Sequence, residues 1–236
     1  MAKRSLEEQV LVIWKTWRAR AFYRVVQLVI RVIGRLYLRT KVVGAERLKS
    51  DGAFIIASVH RSNLDAPLVN SRCPRIVRSL AKREMFTGGI GTWVSAMLGS
   101  FPVQRGAGDR RSVTAAIDLL KRGEPLLVFP EGTRQAGPQV GEIFGGAAFL
   151  AARTGVPVLP VGIAGTEEAM PPKAKSLKRV RVSIVVGEPL LIPDGGNKRL
   201  SASERNEFTA HLRSAMQAAM DEAVELAAAR RARRNE

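Results

Sequence analysis

The sequence predicts an α/β fold: a mostly parallel central sheet flanked by helices, preceded by an N-terminal amphipathic, membrane-associating helical segment. Three features carry this. Between about residues 41 and 195, short β-rich runs alternate with helical stretches. Several of those runs are apolar throughout, as strands covered on both faces should be. Ahead of them, residues 9–39 combine helical periodicity with arginines, aromatics and a wide apolar arc.

The organisation read from this is a basic amphipathic segment over 1–40, an α/β core over 41–200, and a C-terminal helix with an Arg-rich tail over 201–236. In the first segment Arg20, Arg24, Gln27, Arg31 and Arg35 are spaced four, three, four and four apart, so they form one polar stripe at helical periodicity. Val25, Val26, Leu28, Val29, Ile30, Val32 and Ile33 cover most of the rest, with Trp14, Trp17, Phe22 and Tyr23 nearby. The pattern suits a helix lying in a membrane interface, its arginine heads reaching lipid phosphates. The other reading is a helix packed on the domain with its arginines in water. The apolar arc is wider than one packing face needs, which favours the membrane.

In the core, Ala53–Val59, Ile76–Ala81, Phe101–Arg105, Leu126–Phe129, Pro157–Ile163 and Val180–Val186 read as strands. Met85–Gln104 is uncharged but carries four glycines and Pro102, so it reads as helix, loop and strand instead of a membrane span. Asp109 to Gly123 reads as a helix with Val113, Ala116, Ile117 and Leu120 on one face, capped by Asp109 and ended by Gly123. Gly145–Thr154 reads as another helix, closed by Gly155. Gly195–Asn197 reads as a loop. Ser201 and Glu204 then form a capping-box pattern, and Phe208, Leu212, Met216 and Met220 mark a core stripe on the last helix. His211 reads as a solvated surface residue. Arg230, Arg231, Arg233 and Arg234 read as a tail that is disordered or touches anionic lipid.

Composition narrows the partners. The 236 residues carry 38 Lys+Arg against 21 Asp+Glu, a net charge of +17. Such an excess calls for an anionic partner: nucleic acid, an anionic bilayer or a phosphorylated substrate. Only 6% of residues are aromatic, and no nucleic-acid motif is evident, which argues against nucleic acid. The single Cys73 permits no internal disulfide, and two histidines, His60 and His211, make no metal cluster. No secretory signal is evident, and the chain reads as cytosol-facing.

The polar residues that stand out sit at strand ends, where sites form in α/β sheets. His60 follows an apolar strand, and Asp65 lies five residues on, in the first turn of a helix starting after Ser62 or Asn63. A carboxylate on one ring nitrogen fixes the tautomer and leaves the other nitrogen as a base. Phe129-Pro-Glu-Gly-Thr-Arg134 follows the next buried strand and supplies a turn with free N–H groups, a carboxylate and a guanidinium, which suits phosphate and hydroxyl groups. Arg105, Lys82 and Arg83 end two other strands and add positive charge. Each group also has an ordinary reading: caps for His60 and Asp65, a surface turn with an ion pair for 129–134.

The order H-x4-D (His60–Asp65), Gly99–Arg105, FPEGTR (Phe129–Arg134) and VPVLPV (Val156–Val161) resembles the four motif blocks of the glycerolipid acyltransferase family. Its best-known bacterial members are the 1-acylglycerol-3-phosphate acyltransferases. The resemblance covers about residues 55–163. It implies transfer of a fatty acyl group from acyl-CoA or acyl carrier protein to the free hydroxyl of 1-acylglycerol 3-phosphate, giving phosphatidic acid. His60 is then the general base and Asp65 its orienting partner. Lys82, Arg105, Glu131, Gly132, Thr133 and Arg134 bind the phosphorylated acceptor. The resemblance implies no cofactor and no metal, and places the protein at the cytoplasmic face of the cell membrane, on an anionic surface. Val59 stands where the family usually has Asn, Arg61 gives an HRS triplet, and Gln104 replaces the usual acidic residue before Arg105. These departures leave glycerol 3-phosphate or another lysophospholipid open as acceptor. A binding protein without catalysis, on nucleic acid or a membrane, is the alternative of another class.

Overall fold

A computed structural model describes residues 6–82, 86, 89–103, 110–172, 174, 176–193, 196 and 199–232. Helices α1 (Leu6–Lys15) and α2 (Trp17–Leu36) come first, followed by β1 (Lys41–Val43), a 3-10 turn (Ala45–Lys49), β2 (Ile55–Ser58), α3 (Asp65–Asn70), β3 (Arg78–Lys82), α4 (Gly89–Met97) and β4 (Ser100–Val103). Then come α5 (Arg110–Lys121), β5 (Leu126–Val128), α6 (Gly146–Thr154), β6 (Val158–Ala164), α7 (Thr166–Ala169), β7 (Ser183–Val186) and α8 (Ala202–Ala232). The strands form one sheet in the order β1-β7-β6-β2-β5-β3-β4. Every pairing is parallel except β6 with β7. The predicted α/β class with a mostly parallel sheet holds.

Every residue of β2, β6 and β7 is buried, as a sheet covered on both faces requires. One group of helices, α5, α6 and α8, packs together, with α6 against β2 and α8 along β6 and β7. α8 approaches so closely that a Cβ on Gly162 of β6 would lie 2.2 Å from the Ala219 carbonyl oxygen. The stripe read on this helix is real: Leu212, Met216 and Met220 are buried, Phe208 packs beside them, and His211 is exposed. Its start is a capping box, with Ser201 N donating to Glu204 Oε2 at 2.8 Å and Glu204 N to Ser201 Oγ at 3.2 Å.

Several boundaries move. β2, β3, β5 and β7 are shorter than their apolar runs, while β6 keeps its length and shifts by one residue. β3 starts two residues later and ends one residue later than its run suggested, and β1 was not foreseen. In α5 the buried face is Ser112, Ala116, Leu119 and Leu120, while Val113 is 38% exposed. Gly123, with φ +81°, and Gly155, with φ +72°, end α5 and α6 as expected. Asp109, Gln104, Arg83, Gly195, Asn197, Arg233 and Arg234 lie outside the described residues. The part of the tail that is described is engaged: Arg230 donates to the carbonyls of Val182 and Arg39, and Arg231 pairs with Glu168 at 2.8 Å.

The largest correction concerns residues 9–39. The segment breaks at Thr16, whose Oγ1 accepts from Ala19 N and caps α2. Trp14 is an anchor in the core, with Nε1 donating to Ala96 O at 2.6 Å. The middle of the polar stripe of α2 bonds the domain, although all four of its arginines are exposed. Gln27, buried, donates to the carbonyls of Asn70 and Cys73 at 3.0 and 2.7 Å. Arg31 donates twice to Ser71 O, at 3.0 and 2.6 Å, and Arg24 donates to Pro74 O. The carbonyls around the end of α3 need donors, and α2 supplies them. Arg24 and Arg31 thus serve the fold, where the sequence reading gave their heads to water or to lipid phosphates. The apolar arc points outward: Val25, Leu28, Val29, Val32, Ile33 and Leu36 are 44–66% exposed. Among the described residues, no helix is long and apolar enough to cross a membrane.

Candidate active site

Register brings the site together. β2 and β5 are parallel neighbours with Ala57 opposite Val128, so three residues on, His60 meets Glu131 at the carboxyl edge of the sheet. Asp65 opens α3 and folds back onto the imidazole, with His60 Nδ1 to Asp65 Oδ2 at 3.0 Å. The Asp65 side chain is fully buried; that of His60 is 14% exposed.

Asp65 Oδ2 also accepts from the backbone N–H groups of Arg61 and Ser62, at 2.6 and 2.7 Å. Oδ1 accepts from Thr166 Oγ1 at 2.6 Å. Both oxygens of Asp65 are thus held by donors within the protein. Nδ1 is the ring nitrogen that faces Asp65, so Nε2 is the one left for other partners. Phe129 stacks on the imidazole with centroids 4.0 Å apart and planes 18° apart, which limits rotation of the ring.

His60 opens into a cavity of about 880 Å³. Asn63, Phe129, Thr133 and Arg134 line it together with His60; Tyr23, Gln27 and Ile30 of α2 line it too, as do the apolar Ala66, Pro67, Leu80 and Leu98 and the polar Asn70, Ser71, Ser79 and Ser100. The wall thus mixes apolar and polar side chains, with the Arg134 guanidinium on it. Burial pushes the Tyr23 phenol above its usual range. Its oxygen accepts from Val77 N.

The residues expected to bind an acceptor divide. Thr133 and Arg134 are exposed on the cavity wall. Gly132 takes φ +70°, and a Cβ there would meet the Phe144 ring at 2.8 Å, so its role in the turn is backbone shape. Glu131 lies inside the fold with a fully buried side chain and is not on the cavity wall. Lys82 ends β3 opposite Val103, at the same edge of the sheet; its side chain and all of Arg105 lie outside the described residues. Among the described residues, no group of three or more His, Cys, Asp or Glu side chains could hold a metal ion.

Thr166 was not foreseen. It stands two residues beyond β6, after Gly165 at φ +91°, so the strand-end rule that found His60 reaches it too. Nothing in its spacing showed that it would meet a carboxylate 101 positions earlier.

Comparison with known proteins agrees with this geometry. Residues 39–164, a little over half the chain, match the family model described as Acyltransferase. The chain is 31% identical over 160 residues to a chloroplastic 1-acyl-sn-glycerol-3-phosphate acyltransferase of Brassica napus, covering 65% of this chain and 46% of the relative. It is 30% identical over 166 residues to the 1-acyl-sn-glycerol-3-phosphate acyltransferase of Bacillus subtilis, covering 68% and 78%. The matches to the chloroplastic relatives span a little under half of their length. The crystal structure of the 1-acyl-sn-glycerophosphate (LPA) acyltransferase PlsC from Thermotoga maritima superposes with a TM-score of 0.68 at 25% identity, covering 91% of this chain and 87% of that one.

Proposed function

The chain belongs to the acyltransferase family, and on that premise we propose that it moves a fatty acyl group from a thioester donor to the free hydroxyl of 1-acylglycerol 3-phosphate, giving phosphatidic acid. The carrying observation is the His60–Asp65 pair, 3.0 Å apart, with the imidazole opening into a cavity that Arg134 and Thr133 also line. A hydroxyl seated beside Nε2 loses its proton to the imidazole as its oxygen attacks the thioester carbonyl carbon. Asp65 stabilises the imidazolium that forms. Collapse of the tetrahedral oxyanion breaks the C–S bond, and the proton passes from Nε2 to the leaving thiolate. Thioester and alcohol thus become ester and thiol, with no acyl-enzyme between them. The buried Cys73, whose thiol is pushed up by burial, lies off the cavity wall and takes no part.

Arg134, exposed beside the base, pairs with the acceptor phosphate, joined by Lys82 and Arg105. The donor is acyl-CoA or acyl carrier protein. The protein works at the cytoplasmic face of the cell membrane, on an anionic surface, where the acceptor resides. The outward apolar face of α2 supports this: it is exposed, suits a helix lying in a membrane interface, and belongs to the helix whose Ile30 is on the cavity wall.

The test is mass spectrometry of products from palmitoyl-CoA and a panel of acceptors: 1-acylglycerol 3-phosphate, glycerol 3-phosphate, lysophosphatidylglycerol and monoacylglycerol. Phosphatidic acid as the main product, absent with His60→Ala, supports the reading. Transfer only to another acceptor would reassign the substrate. No transfer from acyl-CoA or from acyl carrier protein would refute it.

A further inference from the structure

We infer that Arg61 is a positioning residue for the base, acting through Glu131. The inference builds on the acyl-transfer reading and goes beyond it, since it gives Glu131 a different task from acceptor binding and gives Arg61 a task of its own.

The two side chains form an enclosed ion pair, 1% and 0% exposed. Arg61 Nη1 donates to both Glu131 oxygens, at 3.0 and 2.9 Å. Glu131 Oε2 accepts from the His60 backbone N–H at 2.8 Å, and Arg61 Nη1 donates to the His60 carbonyl at 3.0 Å. Gln135 N donates to that same carbonyl at 2.8 Å. The backbone of the base is therefore held at its N–H by one member of the pair and at its C=O by the other, while Asp65 holds the ring.

The pair also fixes the loop after the turn. Arg61 Nε donates to Gly137 O at 2.7 Å and Nη2 to Gln139 O at 2.9 Å. Gly141 N donates to Glu131 Oε1 at 3.2 Å. Neither residue lines the cavity into which His60 opens, and both Glu131 oxygens are filled from within the protein. A phosphate or hydroxyl of the acceptor finds no free atom there. A buried pair of this kind is a weak source of stability against an apolar replacement. What it does supply is direction, because its hydrogen bonds converge on the peptide that carries the base.

Two variants test this. Arg61→Lys keeps the charge opposite Glu131, but one ammonium cannot hold the carboxylate and three carbonyls in the planar fork of a guanidinium. Glu131→Gln keeps the shape, yet both carboxylate oxygens face N–H donors, so the amide nitrogen opposes a donor in either orientation. Steady-state kinetics would be measured per folded molecule, with the folded fraction taken from thermal melts. The expected result is a fall in kcat of about 10²-fold with the acceptor KM nearly unchanged, as displacement of a catalytic group by about 1 Å gives. A raised acceptor KM with kcat retained would return Glu131 to acceptor binding and overturn the inference. A lowered melting temperature with kcat retained would reduce the pair to a structural one and overturn it equally.

A readout independent of turnover uses the two imidazoles of the chain, His60 and His211. Nitrogen-15 spectra should show His60 as the single Nδ1–H tautomer in the wild type. Its signals should shift or broaden in both variants, while those of exposed His211 stay in place. Unchanged His60 signals would overturn the inference. If the wild type transferred no acyl group to any acceptor, the acyl-transfer reading would fail, and the ring spectra would still decide the role of Arg61.

Discussion

Asp65→Asn isolates the charge of the dyad from its shape. Asp65 Oδ2 faces three N–H donors, whereas Oδ1 faces the Thr166 hydroxyl. An asparagine will keep its carbonyl oxygen on the three donors and turn its NH2 toward Thr166, whose hydroxyl can rotate to accept. The loop, the imidazole tautomer and the hydrogen bond from Nδ1 therefore survive, and only the negative charge beside the imidazolium is lost. Taking the charge centres as about 4 Å apart, that attraction is worth about 4 kcal/mol at the effective dielectric of such sites. The surviving neutral hydrogen bond offsets about 1 kcal/mol of it. The expected fall in kcat is about 10²–10³-fold, with acceptor KM nearly unchanged, because Asp65 touches no substrate. Thr166→Val removes the second support of the carboxylate and should lower kcat about tenfold. In a double-mutant cycle the two losses should fall short of adding, since Thr166 acts through Asp65. Initial rates of thiol release at saturating acceptor are the assay. An Asp65→Asn enzyme within about fivefold of wild type, or one whose whole defect is in KM, would refute the reasoning.

Arg134→Ala removes a cation from the cavity wall and should raise the acceptor KM by about 10–100-fold with kcat little changed, as loss of a charged hydrogen bond to phosphate implies; rate curves against 1-acylglycerol 3-phosphate check this. Leu28→Asp with Val32→Asp places two charges on the outward face of α2, where the native side chains are 60% and 46% exposed. Sedimentation with anionic vesicles should show at least a tenfold loss of binding, with the melting temperature unchanged. Gly162→Ala forces a Cβ to 2.2 Å from the Ala219 carbonyl oxygen. Since backbone stands on both sides, the strand and α8 must separate, at about 2–3 kcal/mol, which thermal melts should show as a fall of roughly 5–10 °C.

Local pattern and register account for what the sequence made legible. β2 and β6 are buried on both faces, so they were visible as unbroken apolar runs. The start of α8 was visible because a capping box lies within four residues. β1 was not, since three residues of Lys41–Val43 carry too little pattern to separate from a loop. His60 and Asp65 are five positions apart and fold into contact through a single turn, so the spacing allowed the pair, and the resemblance of the four motif blocks gave it its expected roles. Glu131 is 70 positions from Arg61 and Thr166 is 101 from Asp65. Those contacts depend on which strands become neighbours, and periodicity does not encode that. The two faces of α2 show the same limit. Its periodicity located the polar stripe, but the middle of the stripe, Arg24, Gln27 and Arg31, bonds the carbonyls of Asn70, Ser71, Cys73 and Pro74, which lie in a loop that periodicity does not place beside it.

The most direct test of the account follows thiol release and phosphatidic acid formation together, from palmitoyl-CoA and 1-acylglycerol 3-phosphate, in the wild type and in His60→Ala. The account predicts one thiol for each phosphatidic acid in the wild type and a loss of both by at least about 10²-fold in the variant, with its melting temperature retained. A folded His60→Ala protein that still makes phosphatidic acid at near the wild-type rate would contradict it.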